Sequence, residues 1–507
     1  MSVTGFLQSF AGHVLAIPNR FLRWGFPGRD NPMQHLGALT IFFCWIVLVS
    51  GIWLLIFFRT SVNGAFESLE YLTREQWYLG GIMRSLHRYA SDGAIVTILI
   101  HVIREFSRDT YRLKRWFTWV TGLPLVWMVF LLGISGYWLV WDQLAQYVAI
   151  TSSELVDAIP IFTDKMAANF LRDSSLSDRF FTLMAFLHLI GLPIFLVFGI
   201  WLHVFRVSGP SVNPPKRLMA GTLLALLVLA LVFPARSQEQ ADLSFAPQII
   251  QLDWFYLHVY PLAGVWSPGW VWILLVSISA LLLVAPWLPP GAEQKAAVVN
   301  LDNCNGCQRC ADDCPYGAIR MQPRSDGKRY EFEAVVDPDL CTSCGICVGA
   351  CPTATPFRTQ AIVVPGIDLP ACGAQDLKTS IDSATGKNPH VLAFACTGSA
   401  ELKWLKDNET AVVEVACTGE IPPSYLDYVL SRKLSDRILL TGCGGDCRYR
   451  LGMQWTEQRI ARQRDPNLRR RVGADRIAMA WREPWCRLRD TGEQLNRLEV
   501  LAMETIE

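Results

Sequence analysis

The sequence predicts a multidomain chain: an α-helical membrane bundle of about six spans, then a small α+β segment, then a small α/β domain built on a parallel sheet. Three observations predict it. Of the 507 residues, 51% are hydrophobic, and the apolar excess lies almost wholly before residue 290. Fourteen of the fifteen Cys follow residue 300, most at spacings typical of metal sites. Beyond residue 360, short apolar runs alternate with helical stretches, and three of those runs end in cysteine. Such tight cysteine spacing argues against the disulfide framework of a secreted protein. The formal charge of +1 carries no sign of a nucleic-acid partner, and no motif for one is present. No small-residue cleavage site follows the mildly apolar Gly5–Ile17, so no secretory leader is expected.

Residues 1–34 read as an amphipathic arm on the membrane surface, with Arg20, Arg23 and Arg29 near the lipid. The membrane unit runs over 35–290, with spans expected at about 36–58, 80–104, 117–141, 180–205, 216–235 and 266–288. The loop after the second span carries Arg104, Arg108, Arg112, Lys114 and Arg115. The loop after the fourth carries Arg206, Lys216 and Arg217. The longer 142–179 loop holds only Lys165, Arg172 and Arg179 among many acids. The positive-inside rule then puts both termini, and the cysteine-rich half, in the cytoplasm of a multi-pass inner-membrane protein.

The second and fourth spans each carry two histidines. His87 and His101 are fourteen residues apart; His188 and His203 are fifteen apart. Fourteen residues of helix rise about 21 Å in just under four turns. Each pair therefore lies near one face at two depths of a core about 30 Å thick. One such histidine reads as a side chain bonded to a neighbouring helix. Four at matching spacing in two apolar helices read as ligands to two stacked haems, one imidazole from each helix per iron. The two spans run parallel, so order along them pairs His87 with His188 and His101 with His203. Gly37 and Gly51 are fourteen apart in the first span, and Gly122 and Gly136 fourteen apart in the third. Missing side chains at two depths leave room for a flat macrocycle, or serve ordinary helix packing.

With these residues in view, positions 30–288 resemble cytochrome b of the quinol-oxidising bc-type complexes. The matching stretches are Arg84…His87…His101, Thr118-Trp119…Gly122, Gly136-Tyr137…Trp141-Asp142-Gln143 and His188…Leu192-Pro193…His203, followed by Gly209…Asn213-Pro214. The resemblance implies two b haems, an outer one on His87 and His188 and an inner one on His101 and His203. It also implies a haem propionate on Arg84, a homodimer, and an outer quinone site. Where that family carries Pro-Glu-Trp-Tyr, this chain has Leu252-Asp253-Trp254-Phe255. Asp253 could accept a quinol proton; it reads equally as a solvated loop acid. The 141–161 segment, which resembles a stretch lining the same pocket, is kept. His35 reads as a surface histidine, with an inner-face site as the alternative.

Residues 298–360 hold two runs of one pattern. The first is Cys304-x2-Cys307-x2-Cys310-x3-Cys314-Pro315 and the second Cys341-x2-Cys344-x2-Cys347-x3-Cys351-Pro352. Thiolates at this spacing suit [4Fe–4S] clusters, the fourth cysteine of each run serving the other cluster. One set is then Cys304, Cys307, Cys310 and Cys351; the other is Cys341, Cys344, Cys347 and Cys314. The segment resembles two-cluster bacterial ferredoxins.

The last domain, 385–507, reads as strands at Val391–Cys396, Val412–Cys417, Arg437–Cys443 and Arg476–Trp481, with helices at Ser424–Leu434 and Tyr449–Arg462. Cys396, Cys417 and Cys443 stand at strand ends, where ligands of parallel sheets gather, and Cys447 follows in the next loop. Four thiolates there suit a [2Fe–2S] cluster; zinc is the alternative. Thr441-Gly442-Cys443-Gly444-Gly445-Asp446-Cys447-Arg448 resembles the delta subunit of methyl-viologen-reducing hydrogenases, a [2Fe–2S] protein that exchanges electrons with a heterodisulfide-reductase-type flavoprotein. That family often shows Cys-x2-Cys at the first strand end, where this chain has only Cys396. Cys372 and Cys486 are left over, and Cys372 could substitute as a ligand. Cys44 lies in a span and reads as packing.

Together these parts read as a membrane electron-transfer oxidoreductase. A cytoplasmic flavoprotein, heterodisulfide-reductase-like or of the NAD(P)H dehydrogenase type, exchanges electrons with quinone through the clusters and haems. The first direction is toward quinone. The alternatives are a quinol-oxidising subunit feeding a bifurcating partner, a thiol or disulfide reductase using the C-terminal cysteines, and a redox scaffold.

Overall fold

The computed structural model describes residues 3–26, 30–159, 177–245, 247, 249–288, 295–357, 362–397, 399, 402, 405, 411–443, 447 and 449–482. Arg29, Lys165, Arg172 and Cys486, singled out above, lie outside these residues, as does the side chain of Arg23.

The first half is helical. In order it comprises α1 (Val3–Gly25), α2 (Leu36–Phe57), α3 (Gly64–Arg74), α4 (Ile82–Ser107), α5 (Trp116–Val140), α6 (Gln143–Asp157), α7 (Asp178–Phe186), α8 (Leu192–Val204), α9 (Lys216–Val232), α10 (Tyr260–Val265) and α11 (Pro268–Val284). A π turn, Leu187–Gly191, joins α7 to α8. Helix α1 packs on α4 and leaves Phe6, Phe10, Ile17, Phe21 and Trp24 exposed along one side, the stripe expected of an interfacial arm.

Four helical stretches among the described residues are long and apolar enough to cross a membrane: Leu36–Phe57, Leu113–Val140, Asp178–Val204 and Pro268–Trp287. The expected count was six. The other two segments are helical but fall short for different reasons. Helix α4 has the length, at 26 residues, but carries Arg84, Arg88, Asp92, Arg104 and Glu105. Helix α9 is apolar but only 17 residues long.

Two close helix pairs form the centre of the bundle, α2 with α4 and α5 with α8. Each pair sets a glycine-bearing helix against a histidine-bearing one. Small residues at a crossing let two backbones approach, which is how apolar helices gain contact without a hydrophobic drive between them.

The second half is a mixed α/β body. Strands β1 (Val298–Val299), β2 (Ile319–Pro323), β3 (Phe332–Val336) and β4 (Ile367–Asp368) form two small antiparallel ladders, β1 with β4 and β2 with β3. The pairing of β1 carries the iron–sulfur segment past residue 360, to Asp368. Strands β5 (Val391–Cys396), β6 (Ala411–Val415), β7 (Arg437–Cys443) and β8 (Ile477–Arg482) make one parallel sheet in the order β6-β5-β7-β8. The central strands β5 and β7 are buried nearly throughout, as continuous apolar runs in a parallel sheet should be. The largest hydrophobic cluster of this half runs from Ala297 through Cys351 to Ile477, so the ladders and one face of the sheet share an interior.

Two junctions hold this body in place. Inside it, the fully buried Arg459 pairs with Asp313 at 2.5 Å and donates to the Gly419 carbonyl at 2.9 Å. Arg464 donates to the same carboxylate at 2.6 Å. Against the bundle, Arg450 donates to the carbonyls of Ser208 and Pro315, both at 3.0 Å, and of Gly209 at 3.1 Å. The Ser208 N–H donates to Pro315 at 3.0 Å, and Arg115 lies over the rings of Tyr316 and Tyr449. Lys114 pairs with Asp339 at 3.3 Å. The basic loops expected on the cytoplasmic face are thus the seat of the cysteine-rich half.

Removing Arg459 takes from the buried Asp313 its buried partner and leaves it only the partly exposed Arg464, a loss of at most the ~3–5 kcal/mol of a fully broken buried pair. Arg459→Ala should therefore lower the denaturant midpoint of the full-length protein in detergent, read from tryptophan fluorescence. A shift worth less than about 1 kcal/mol, the scale of an exposed pair, would show that the junction does not hold the body together.

Candidate functional site

The four histidines turn inward between the two helix pairs. The rings of His87 and His188 stand 6.3 Å apart, centre to centre, with planes crossing at 61°. A metal–imidazole bond of about 2 Å on each side, plus the half-width of each ring, spans about that gap. His101 of α4 and His203 of α8 also face each other.

Each imidazole edge presses on one glycine. A Cβ at Gly37 would lie 3.5 Å from His101 Cε1, and one at Gly51 3.0 Å from His87 Cε1. At Gly122 it would lie 2.9 Å from His203 Cε1, and at Gly136 3.0 Å from His188 Cε1. Glycine spacing therefore matches histidine spacing for a direct reason: each glycine is the floor under one ring. From spacing alone that space reads as room for a flat macrocycle or as ordinary helix packing.

Three of the rings are oriented by a repeated device. His87 Nδ1–H donates to the Val47 carbonyl at 3.0 Å and lies 3.2 Å from Ser50 Oγ. His188 Nδ1 lies 3.0 Å from Ser135 Oγ, and His203 Nδ1 3.5 Å from Thr121 Oγ1. Each hydroxyl gives its own proton to a carbonyl of its own helix: Ser50 to Ile46 at 2.6 Å, Ser135 to Leu132 at 3.0 Å, Thr121 to Phe117 at 2.8 Å. The hydroxyl oxygen is then left to accept the imidazole N–H. That fixes the tautomer with Nε2 bare, the form a metal needs. The signal was present in the sequence but not used: Ser50-Gly51, Thr121-Gly122 and Ser135-Gly136 each place the hydroxyl next to the floor. Gly37 follows Leu36, and its ring is the exception. His101 Nδ1 makes no hydrogen bond among the described residues and faces Glu105 Oε1 at 3.8 Å.

Arg84 sits one turn from His87, buried. Its guanidinium donates to Thr73, to Ser237 at 2.7 Å and to Glu70 at 3.4 Å. Asp253 is buried too, not solvated. It accepts from Arg88, from the Tyr137 hydroxyl and from the Phe255 N–H at 2.7 Å. The 141–161 segment packs nearby as α6, tied by Ser152 to Tyr260 at 2.9 Å and by Trp272 to the Leu155 carbonyl at 2.6 Å. Residues 160 and 161 lie outside the described part.

In the second half, cysteines surround two cavities. One is lined by Cys314, Cys341, Cys344 and Cys347. The other is lined by Cys304, Cys307, Cys310 and Cys351. The Ala318 N–H donates to Cys314 Sγ at 3.3 Å, a bond suited to a thiolate. Burial pushes the free thiols of Cys310 and Cys344 up to about 12, so these groups stay protonated until a cation compensates them.

Cys396, Cys417, Cys443 and Cys447 form a closed ring. Cys396 touches Cys417 and Cys443, and Cys447 touches the same two. All four are buried, and the Thr418 N–H donates to Cys396 Sγ at 3.3 Å. Gly442 and Gly452 wall the ring; a Cβ would meet Cys396 Sγ at 2.7 Å or Cys417 Sγ at 2.1 Å. Cys372 stands apart, against Glu420, whose carboxyl burial raises to about 8. Glu420 in turn fills the space beside Gly345, whose φ of +75° turns the Cys344–Cys347 loop. Cys344, Ile346, Cys417 and Cys447 share one small apolar cluster, so a cavity and the ring meet side by side. The buried Tyr316 lies where Arg115 of the bundle, Cys344, Arg450 and Cys447 converge.

The floor distances make a discriminating prediction. Gly122→Ala forces the His203 ring to shift, whereas Gly37→Ala adds an ordinary contact. With haem bound, the first should weaken retention at its site about tenfold, the scale of a lost orienting contact, and the second should leave it unchanged. Haem content after detergent dilution, by pyridine haemochrome, measures both; equal effects would mean the glycines do not position the rings.

Comparison with known proteins finds three separate regions of similarity. Residues 27–211 match the family profile for cytochrome b/b6/petB, 303–355 that for the 4Fe-4S dicluster domain, and 391–487 that for the methyl-viologen-reducing hydrogenase delta subunit. Cytochrome b6 of Prochlorothrix hollandica is 26% identical over 189 residues, which are 37% of this chain and 85% of the relative. Cytochrome b6 of Acaryochloris marina (strain MBIC 11017) is 25% identical over 189 residues, 37% and 87%. A chain of a solved structure described as hyperthermophilic respiratory Complex III aligns at a TM-score of 0.41 and 19% identity, covering 50% of this chain and 75% of that one. A cytochrome b-like helical region, a dicluster iron–sulfur region and a hydrogenase-delta-like region in one chain are the composition of a membrane electron-transfer subunit.

Proposed function

We propose that this chain carries single electrons between a soluble flavoprotein and membrane quinone, with quinone as the acceptor. Haem b between each imidazole pair, a [4Fe–4S] cluster in each cysteine-lined cavity and a [2Fe–2S] cluster in the four-thiol ring would supply one-electron relay when bound. His87 with His188 and His101 with His203 are the haem ligands in this reading. Cys304, Cys307, Cys310 and Cys351 hold one cube; Cys314, Cys341, Cys344 and Cys347 hold the other. Arg84 can reach a propionate if its contact to Glu70, its longest, gives way.

The observation that carries the proposal is the junction at Tyr316. It brings the Cys344 cavity, the thiol ring and the basic loops of the bundle to one point. Electron tunnelling falls steeply with distance, so centres that are to exchange electrons must be held side by side, and Arg450, Arg115 and Arg459 do the holding. The four ring thiols are walled in by Gly442 and Gly452. That favours a cluster over a dithiol, because disulfide exchange needs an attacking thiolate that a partner can reach.

On this proposal the iron–sulfur half lies in the cytoplasm, where the flavoprotein docks, and quinone reacts near the His87 and His188 end, beside Asp253 and α6. A bundle-to-bundle homodimer is part of the same proposal.

The test uses native membranes without oxygen. A soluble donor, NADH or reduced ferredoxin with the cytosolic fraction, should raise the b-haem α-band, and added quinone should bring it down. If only quinol raises the band, electrons run the other way, from the pool into the cytoplasm. If neither donor raises it, the chain is not a quinone-linked carrier.

A further inference from the structure

We infer that Asp92, not Asp253, is the carboxyl group that gives up a proton at the quinone site. This rests on the quinone reading above and adds a residue to it. Four side chains from three parts of the chain meet here. Arg88 pairs with Asp92, one turn along α4, and with Asp253, 165 residues away. Tyr137 of α5 donates to Asp253 and stands under the Arg88 guanidinium, 5.2 Å from its ring centre.

The two carboxylates differ in their surroundings. Asp253 accepts from three donors, Arg88, Tyr137 and the Phe255 N–H, and its side chain is 3% exposed. Three donors already claim its two oxygens. Among the described residues Asp92 accepts from Arg88 alone, and its side chain is 14% exposed, next to the 33% of Arg88. The other ionisable groups facing it are the phenols of Tyr89, whose hydroxyl donates to the Phe233 carbonyl, and of Tyr256, bonded to Ser91. One guanidinium between two carboxylates leaves one negative charge inside an apolar bundle, which is costly. One proton removes that charge, and it goes to the carboxylate with fewer donors and an open side.

His87 adjoins Arg88, and Gly136, the floor of His188, adjoins Tyr137. The proton store therefore stands beside the ring pair where electrons reach quinone. The reduction of one quinone consumes two electrons and two protons. The electrons come one at a time from the reduced soluble flavoprotein, which is oxidised. The Asp92 O–H bond breaks as an O–H bond forms on a quinone oxygen; the second proton comes from water, and Asp92 is reprotonated through its open side.

The test is made on the full-length, haem-loaded protein with decylubiquinone as the probe. Asp92→Asn should slow quinone reduction about 100-fold, the scale of a lost general acid, while haem reduction by dithionite and haem content stay unchanged. Asp92→Glu should restore most of the rate. Redox-induced infrared difference spectra of the wild type should show a protonated-carboxyl band that shifts in Asp92→Glu and stays in place in Asp253→Glu, two variants that keep the charge of the cluster. A band that shifts in Asp253→Glu and stays in place in Asp92→Glu would overturn the assignment, as would an unchanged rate in Asp92→Asn. If the wild-type haems never pass electrons to quinone, the quinone reading fails, and the infrared band alone still decides whether Asp92 holds the proton.

Discussion

Everything in the bundle depends on the contact between a glycine and an imidazole edge. A histidine ring cannot turn inward between two packed helices unless the facing backbone gives up a side chain. Gly51 and Gly136 do this for His87 and His188; Gly37 and Gly122 do it for His101 and His203. The same missing side chains bring α2 against α4 and α5 against α8. Helix packing and ring placement are thus one constraint. The hydroxyls of Ser50, Thr121 and Ser135 complete it by settling which ring nitrogen is free.

The second half is organised by buried charge. Asp313 precedes Cys314, and Arg459 reaches it from the helix Gly452–Ile460, while the same guanidinium holds the loop after Cys417 through Gly419. One cation therefore sets the distance between a cysteine cavity and the thiol ring. Such a pair adds little net stability over apolar packing, but it is costly to break. What it contributes is register between two structures that must stay within electron-transfer reach.

Much of this was legible in the sequence because metal ligation demands fixed spacing. The doubled cysteine runs predicted which four residues share a space, and the fold lines one cavity with each set. The parallel sheet was legible from apolar runs ending in cysteine; β5 and β7 fall on the expected residues, and β6 ends two residues before Cys417. What was not legible depends on tertiary contact. Hydropathy counted α4 as an ordinary span, yet its charges are matched inside the fold by partners such as Glu70 and Asp253. Asp253 reads in the sequence equally as a quinol-proton acceptor and as a solvated loop acid; in the fold Arg88 and Tyr137 close over it. Cys372 looked like a spare ligand; the fold gives it to Glu420 instead. The Tyr316 junction joins segments more than a hundred residues apart, and no local pattern announces it.

The most direct measurement is haem per chain in three variants: His87→Ala, His188→Ala and the two combined. Two imidazoles serving one iron predict that each variant keeps one haem of two, with the same low-spin EPR signal lost in all three. The 6.3 Å separation and 61° crossing of these rings further predict that the lost signal is a strongly anisotropic one. Different signals lost in the two single variants, or no haem left in the double variant, would contradict the pairing on which the electron path is built.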